Sequence, residues 1–232
     1  MEHAFTWVSL IPIVSDSETK QLLFTTMLVV AMLFFISRRI TGSIKRSANP
    51  TIPEEKITTQ NFFELIIQII INIMKDIIGP SAEKYLPLIG GLFIYILFCN
   101  LLGVIPGFLP PTSNIYTNAA CAIIVFLYYN YLGFKEHGIS YLKQFTGPLI
   151  WIAPLMIVVE TLSHFFRPFS LSVRLFGNMF GDHTVLAIFS ELVPLGLPVI
   201  FMGLALVVSL IQAFIFSALS AVYIGLAISH DH

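Results

Sequence analysis

The sequence predicts an all-α, polytopic membrane protein with about five membrane-crossing helices and one amphipathic helix, the last two crossing helices being long and strongly tilted. Of the 232 residues, 56% are hydrophobic and 11% are charged, and the mean hydropathy is +0.87. A soluble domain carries about 25% charged residues, and a surface as apolar as this one would aggregate in water. We therefore expect a single integral membrane domain over residues 1–232.

Charged residues mark the ends of the predicted first span. Lys20 and Arg38 enclose seventeen uncharged residues, which make about 25 Å of helix at 1.5 Å per residue. That length just crosses a hydrocarbon core of about 30 Å if the charged ends snorkel. The first crossing helix is predicted over Gln21–Ser37, and the polar stretch from Arg38 to Asn61 is predicted to be irregular because it contains prolines.

Residues 62–78 are predicted to form an amphipathic or partly buried helix. Polar residues recur there every three or four positions, which places them on one helix face. These residues are Glu64, Gln68, Asn72, Lys75 and Asp76. A helix of this kind can lie at the membrane interface instead of crossing it.

No Asp, Glu, Lys or Arg occurs between Tyr85 and Phe134, a stretch long enough for two spans. Its middle contains the turn signature Pro110-Pro111-Thr112-Ser113-Asn114. We predict a helix over Leu86–Val104, an outer loop, and a second helix over Ile115–Phe134. Asn100 would then be a polar group at membrane depth.

Two further segments complete the predicted membrane domain. A long segment runs to Ser190 with Pro168 inside it, where a proline is expected to break or kink a helix. The last segment, Gly196–Ser229, carries no charge. As one helix it would be about 50 Å long, so it must tilt, break or lie partly along the membrane.

Lysines and arginines in the short loops indicate the orientation. Residues 38–46 and 135–143 are rich in them, whereas residues 103–118 have none. The positive-inside rule places the first two loops in the cytoplasm, with the N-terminus outside and the C-terminus in the cytoplasm. The acidic first residues lack the positive charge of a signal peptide. A net charge of −1 gives no indication of nucleic-acid binding.

Ionisable residues concentrate in one apolar segment, which is the strongest functional signal in the chain. An ionisable group in a bilayer costs about 2.5–3.5 kcal/mol on insertion scales, so such residues face a partner or a water-filled cavity. The polar residues of this segment are Glu160, His164, Arg167, Arg174, Asn178, Asp182, His183 and Glu191.

Helical spacing divides these residues into two environments. Arg174, Asn178 and Asp182 are spaced by four and share one face. On a continuous helix, Glu160 would fall about 320° from Arg174, on nearly the same face, whereas His183 would fall about 180° away. In the last segment, Gln212 and Tyr223 share a face, with Ser209 and Phe216 near it.

Structural explanations compete with functional ones at several of these positions. Arg167 beside Pro168 can be a snorkelling residue at a helix end, and Glu191 can lie near an interface. His164 can be a packed, satisfied histidine. Asn178 and Gln212 can join helices by hydrogen bonds, and Arg174 can form an internal salt bridge with Asp182 or Glu160.

Three motifs resemble subunit a of the F-type ATP synthase. Arg174-Leu175-Phe176-Gly177-Asn178-Met179 is similar to the family's signature around its essential arginine. Ile211-Gln212-Ala213-Phe214-Ile215-Phe216 resembles the second signature, which carries a glutamine. Residues 100–106 and 111–114 resemble the family's hairpin and outer loop. The resemblance extends from about Asn61 to the C-terminus.

The resemblance implies a role for each matching residue. Arg174 matches the arginine that meets a rotor carboxylate, Gln212 the glutamine opposite it, and Asn178 the asparagine one turn along. Glu160 matches an acidic residue of the cytoplasmic half-channel, with His164 near it. His183 matches a position in the outer half-channel, near Asn114.

The chain departs from the family pattern at one position. Members with His at the place of His183 often carry Glu seven residues before the glutamine, where this chain has Ala205. Asp182 and Glu191 are the two candidates for the missing relay group.

The resemblance implies a stator subunit that moves protons past a ring of c subunits, with a b-subunit peripheral stalk and the F1 sector as further partners. It implies no catalytic residue, no metal and no cofactor on this chain. The chain has no Gly-x-x-x-x-Gly-Lys nucleotide-binding loop, so ATP chemistry is expected on other subunits. A bacterial inner membrane is the expected location, and H⁺ and Na⁺ both stay open as the ion. Two other classes also stay open: a secondary ion-coupled transporter and a non-transporting membrane scaffold.

Overall fold

The structure is a computed structural model that describes residues 18–46, 59–105, 107–138, 141, 153–192 and 196–229. Every regular element within those ranges is helical, which confirms the predicted all-α class. The α-helices are α1 (Glu18–Arg46), α2 (Thr59–Ile78), α3 (Leu86–Val104), α4 (Ile115–His137), α5 (Ala153–Leu192) and α6 (Leu197–Ile228). Short 3₁₀ segments cover Pro80–Tyr85 and Pro111–Ser113.

Helix α1 is longer than predicted, so the expectation that the chain is irregular from Arg38 onward is wrong. It continues through Arg38 and Arg39 to Arg46, nine residues past the predicted end at Ser37. Arginine and lysine are good helix formers, so they can end a membrane span without ending the helix. The two prolines on which that expectation depended, Pro50 and Pro53, lie outside the described residues. Most of the loop after α4 and the C-terminal His230-Asp231-His232 also lie outside them.

The first compact unit of the chain extends to Pro111 and contains α1, α2 and α3, which pack on one another. Helix α2 is amphipathic as predicted, because its polar face is exposed while Phe63, Ile70 and Met74 are buried. It ends at Ile78, and the next residue, Gly79, has a φ of 92°, which favours glycine. Helix α3 has the predicted bounds, and its Asn100 is buried.

The second unit, from Thr112 onward, contains α4, α5 and α6, each packed against the other two. The buried face of α6 is rich in small residues, which allow helices to approach closely. These are Ser209, Ala213, Ser217, Ser220, Ala221 and Ala227. The predicted face around Gln212 and Phe216 is thus the packed face of α6, with both residues buried.

Helix α5 runs without interruption through Pro168, so the predicted break does not occur. Proline lacks an N–H, and the bond it would donate to the carbonyl of His164 is missing. The turns on either side remain helical because α4 and α6 pack along this helix. Its 40 residues place all the candidate residues from Glu160 to Glu191 on one continuous helix.

Four of the described helical segments are long and apolar enough to cross a membrane. They cover Thr19–Gly42, Pro80–Val104, Ile115–His137 and Pro198–Ile228. Helix α5 has ample length to cross, but its apolar sequence is interrupted by the charged residues that make it the candidate site. The described part therefore supports a polytopic membrane protein, with α6 extending about 48 Å along its axis.

Candidate functional site

Arg174 lies on an exposed face of α5, beside the residues that pack the helix into the second unit. Leu171, Leu175 and Met179 are buried on that packed face, whereas Arg174 is exposed. Within the described residues, Arg174 makes no hydrogen bond and no ion pair. The internal salt bridge with Asp182 or Glu160 that the sequence left open does not form in this chain.

One turn along, Asn178 connects the exposed face of α5 to α6. Its side-chain amide Nδ2 donates to Oε1 of Gln212 at 2.7 Å. Asn178 is exposed, but Gln212 is only 4% exposed and lies against α5. The structure therefore supports the helix-joining interpretation of this pair. It also places Asn178, not Gln212, at the outer surface of the unit.

Asp182 and His183 follow on the next turn of α5, and both are partly exposed. Neither side chain makes a hydrogen bond or ion pair with the rest of the described chain. Asp182 continues the stripe of Arg174 and Asn178 at a spacing of four, as predicted. The side chain of Glu191, the other candidate relay group, lies outside the described residues.

The other half of α5 holds a pair of charges that do satisfy each other. Nη2 of Arg167 lies 3.5 Å from Oε1 of Glu160, with the two side chains 21% and 27% exposed. The guanidinium carbon of Arg167 also lies 5.7 Å from the centre of the Tyr223 ring of α6. Arg167 is inside α5, so the prediction that it stands at a helix end is wrong.

His164 is buried between α5 and α4. One ring nitrogen, Nε2, lies 3.0 Å from Oδ1 of Asn130, and its ring contacts those of Phe126 and Tyr129. Asn130 uses its amide Nδ2 to donate to the carbonyl of Phe126 at 2.7 Å, so its Oδ1 accepts. With Oδ1 of Asn130 as the acceptor, Nε2 of His164 carries the hydrogen of this bond.

Asn114 is the N-cap of α4. Its side-chain oxygen accepts a hydrogen bond from the backbone N–H of Tyr116 at 2.8 Å. The next turn is anchored by Asn118, whose Nδ2 donates to the carbonyl of Thr112 at 2.8 Å. Asn114 therefore has a structural role as the N-cap of a membrane-crossing helix.

Sequence reasoning missed Asn130 and the pairing of Arg167. Asn130 is an amide inside the uncharged stretch, the same signal that singled out Asn100, and the helix spacing could have found it. The Arg167–Glu160 pair spans seven residues, whereas spacing arguments favour pairs three or four residues apart. Tyr223 was placed on the correct face of α6, but its partner on α5 could not be read from one helix.

Comparison with known proteins assigns the chain to a family. The family model described as "ATP synthase A chain" matches residues 22–225. A relative named ATP synthase subunit a, from Bdellovibrio bacteriovorus, is 40% identical over 99% of this chain and 100% of its own length. One from Geobacter sulfurreducens is 44% identical over 89% of this chain and 87% of its length. The chain belongs to the ATP synthase A chain family.

Membership of this family fixes the coarse function. The ATP synthase A chain is a component of the F0 sector, so this chain takes part in proton transport and ATP synthesis as one subunit of that complex. It associates with the rest of the F0 and F1 assembly. The bacterial sources of the relatives and the membrane-spanning helices fit a bacterial inner membrane.

Proposed function

We propose that this chain is the stator that delivers protons to, and removes them from, the carboxylates of a c-subunit ring, and that Arg174 prevents a leak between the two paths. The observation that carries the proposal is the state of Arg174. It is an exposed guanidinium in a chain of membrane-crossing helices, and it has no ionic partner among the described residues.

A cation in that position needs a countercharge from elsewhere. A charged group at membrane depth is stable when it pairs or faces water. Neither carboxylate whose side chain is described on α5 pairs with Arg174: Asp182, eight residues away, makes no ion pair, and Glu160, fourteen residues away, is held by Arg167. A carboxylate on a neighbouring subunit would satisfy Arg174. The arginine would in turn favour the ionised form of that carboxylate.

Arg174 can block a direct proton leak between the two paths because its positive charge is permanent. Arginine stays protonated at any physiological pH, so Arg174 cannot pass a proton on. A ring carboxylate beside it is ionised and cannot enter lipid without a large desolvation cost. It must first be neutralised by a proton, and this requirement couples proton entry to rotation of the ring.

Two half-channels complete the mechanism. Protons enter from outside near His183, Asn114 and the Asn178–Gln212 pair. Asp182 or Glu191 supplies the second relay carboxylate, which the alanine at position 205 cannot supply. Protons leave to the cytoplasm near Glu160 and His164. Each proton that crosses a membrane potential of 100 mV supplies about 2.3 kcal/mol for this rotation.

The partners and the orientation follow from the same scheme. The c ring faces Arg174 and Asn178, and the b-subunit stalk holds the chain against rotation while the F1 sector performs the ATP chemistry. The N-terminus lies outside and the C-terminus in the cytoplasm of a bacterial cell, so that the arginines at the end of α1 face the cytoplasm.

ATP-driven proton pumping by the assembled complex in vesicles tests the role of Arg174. Arg174→Ala should reduce pumping to the background while the complex still assembles. Arg174→Lys should fail largely, because lysine is a deprotonatable point charge without the planar fork. Arg39→Ala, which removes an exposed arginine from α1, is the matched control and should pump normally.

Pumping by Arg174→Ala at the wild-type rate would overturn the proposal. A second measurement locates the ring: a cysteine at position 178 should cross-link to a c subunit. Exclusive reaction of that cysteine with lipid-soluble reagents would place the ring elsewhere. Ion transport by the chain reconstituted alone would instead support a secondary transporter.

A further inference from the structure

Glu160, Arg167 and Arg174 form a single line along α5. They are seven residues apart, and seven residues turn a helix through about 700°, which is 20° short of two full turns. Helical side chains tilt toward the N-terminus, so the long side chain of Arg167 leans toward Glu160. This tilt explains how a pair seven residues apart brings Nη2 and Oε1 to 3.5 Å.

Arg167 is also fixed from α6. The guanidinium carbon lies 5.7 Å from the centre of the Tyr223 ring, within the range in which a cation is attracted to an aromatic face. A planar guanidinium can stack on a ring and still present its edge to a carboxylate. Arg167 therefore contacts Glu160 on its own helix and Tyr223 on α6.

We propose that Arg167 is a positioning residue for Glu160: held on the ring of Tyr223, it keeps the Glu160 carboxylate in one place on the side of α5. The inference rests on the proposed place of Glu160 in the inner half-channel and adds the device that holds it there. Without Arg167, the carboxylate would have no ion-pair partner among the described residues.

The surroundings suit a holding role for the arginine. The ring centre of Tyr223 lies 6.1 Å from that of Tyr129 on α4, which in turn lies 5.3 Å from that of His164. Among the described residues, Glu160 is the one carboxylate that forms an ion pair with Arg167. Helix α5 thus carries two arginines with different roles: Arg167 holds a carboxylate of this chain, and Arg174 meets a carboxylate of a neighbouring subunit.

A set of four variants in the assembled complex tests the inference by ATP-driven proton pumping in vesicles. Glu160→Gln and Arg167→Gln should each slow pumping severalfold. Arg167→Lys should be faster than Arg167→Gln because it keeps the charge. The double variant Glu160→Gln/Arg167→Gln should be no slower than Glu160→Gln alone, because Arg167 acts through that carboxylate.

The ring of Tyr223 gives an independent pair of variants. Tyr223→Phe keeps the aromatic face and should pump as the wild type does. Tyr223→Leu removes it and should resemble Arg167→Lys or be slower. Complex yield is measured for every variant, and if Arg167→Gln does not assemble, Arg167→Lys and Tyr223→Leu decide: wild-type rates in both would overturn the inference.

The outcomes separate this inference from the proposed function. If Glu160→Gln slows pumping and Arg167→Gln does not, the positioning role is wrong and the inner half-channel stands. Wild-type pumping in Glu160→Gln would remove Glu160 from the channel and the positioning role with it. Losses that multiply in the double variant would show that Arg167 acts independently of Glu160, which also overturns the inference.

Discussion

Two arginines of α5 lie seven residues apart and have opposite surroundings. Arg167 pairs with Glu160 and lies over the ring of Tyr223, so its charge is satisfied within the chain. Arg174 is exposed and has no such partner in the described part. By residue type and local hydropathy the two positions look alike, since each is an arginine in an apolar segment, and only the motif around Arg174 separates them in the sequence. In the structure, Glu160 on the same helix and Tyr223 on α6 distinguish them.

The comparison extends to the other polar groups of the second unit. Asn130 holds His164, Asn178 holds Gln212, and Asn114 caps α4. A polar group with a partner inside the chain stabilises the helix packing, so its removal should affect stability first. A polar group without one is available to another molecule, so its removal should affect activity and leave the fold unchanged.

The largest expected effect separates the two arginines directly. Arg174→Ala should abolish pumping and leave hydrogen exchange of α6 unchanged in the assembled complex, because Arg174 makes no hydrogen bond or ion pair to α6 among the described residues. Arg167→Ala should slow pumping only in part and speed exchange in α5 and α6. Loss of the pair and the aromatic contact is worth about 1 kcal/mol, which corresponds to about fivefold faster exchange.

The reverse order of effects would break the comparison. Faster exchange of α6 in Arg174→Ala would mean that the exposed arginine also supports the fold, and total loss of pumping in Arg167→Ala would give it the duty assigned to Arg174. Arg39→Ala should change neither measurement and controls for the loss of one positive charge.

A smaller effect is expected at Asn130, where a partnered amide joins α4 to α5. Asn130→Leu leaves the buried His164 without the acceptor for its Nε2–H. An unsatisfied buried donor costs about 1–3 kcal/mol, so amides in the middle of α4 and α5 should exchange about 5–150-fold faster. Pumping should fall less than in Arg174→Ala.

The double variant Asn130→Leu/His164→Phe provides the control for that measurement. It removes both partners and should recover most of the lost protection, because two apolar groups of similar shape leave nothing unsatisfied. If the double variant exchanges as fast as Asn130→Leu, the bond between Asn130 and His164 does not hold the two helices together.

Much of the fold follows from sequence patterns that depend on one helix alone. The bounds of α3 were predicted to the residue, and α4 begins where predicted and ends three residues later. Charge-free length and turn residues determine both. The end of α1 was predicted wrongly because a charge does not end a helix. Of the break or kink predicted at Pro168, the break does not occur, because a helix packed against its neighbours can hold a proline inside it.

The candidate site was predictable in its members but not in its partners. The spacing placed Arg174, Asn178 and Asp182 on one face, and the structure places Arg174 and Asn178 at the exposed side. The burial of Gln212 and the pairing of Arg167 depend on which faces of α5 and α6 meet. A single sequence gives the period of each helix and not its rotation relative to a neighbour.

The smallest expected effect concerns Asn114, which the resemblance places in the outer half-channel and the structure places at the N-cap of α4. Asn114→Ala removes the bond to the Tyr116 N–H and should cost about 1 kcal/mol, seen as about fivefold faster exchange in the first turn of α4. Asn114→Ser keeps a capping oxygen and should restore the protection. Asn114→Ala should also slow pumping. If Asn114→Ser restores both the protection and the pumping, the cap accounts for this residue. If pumping stays slow while protection returns, the amide itself serves the channel, and Asn114 is a partnered group that also contributes to activity.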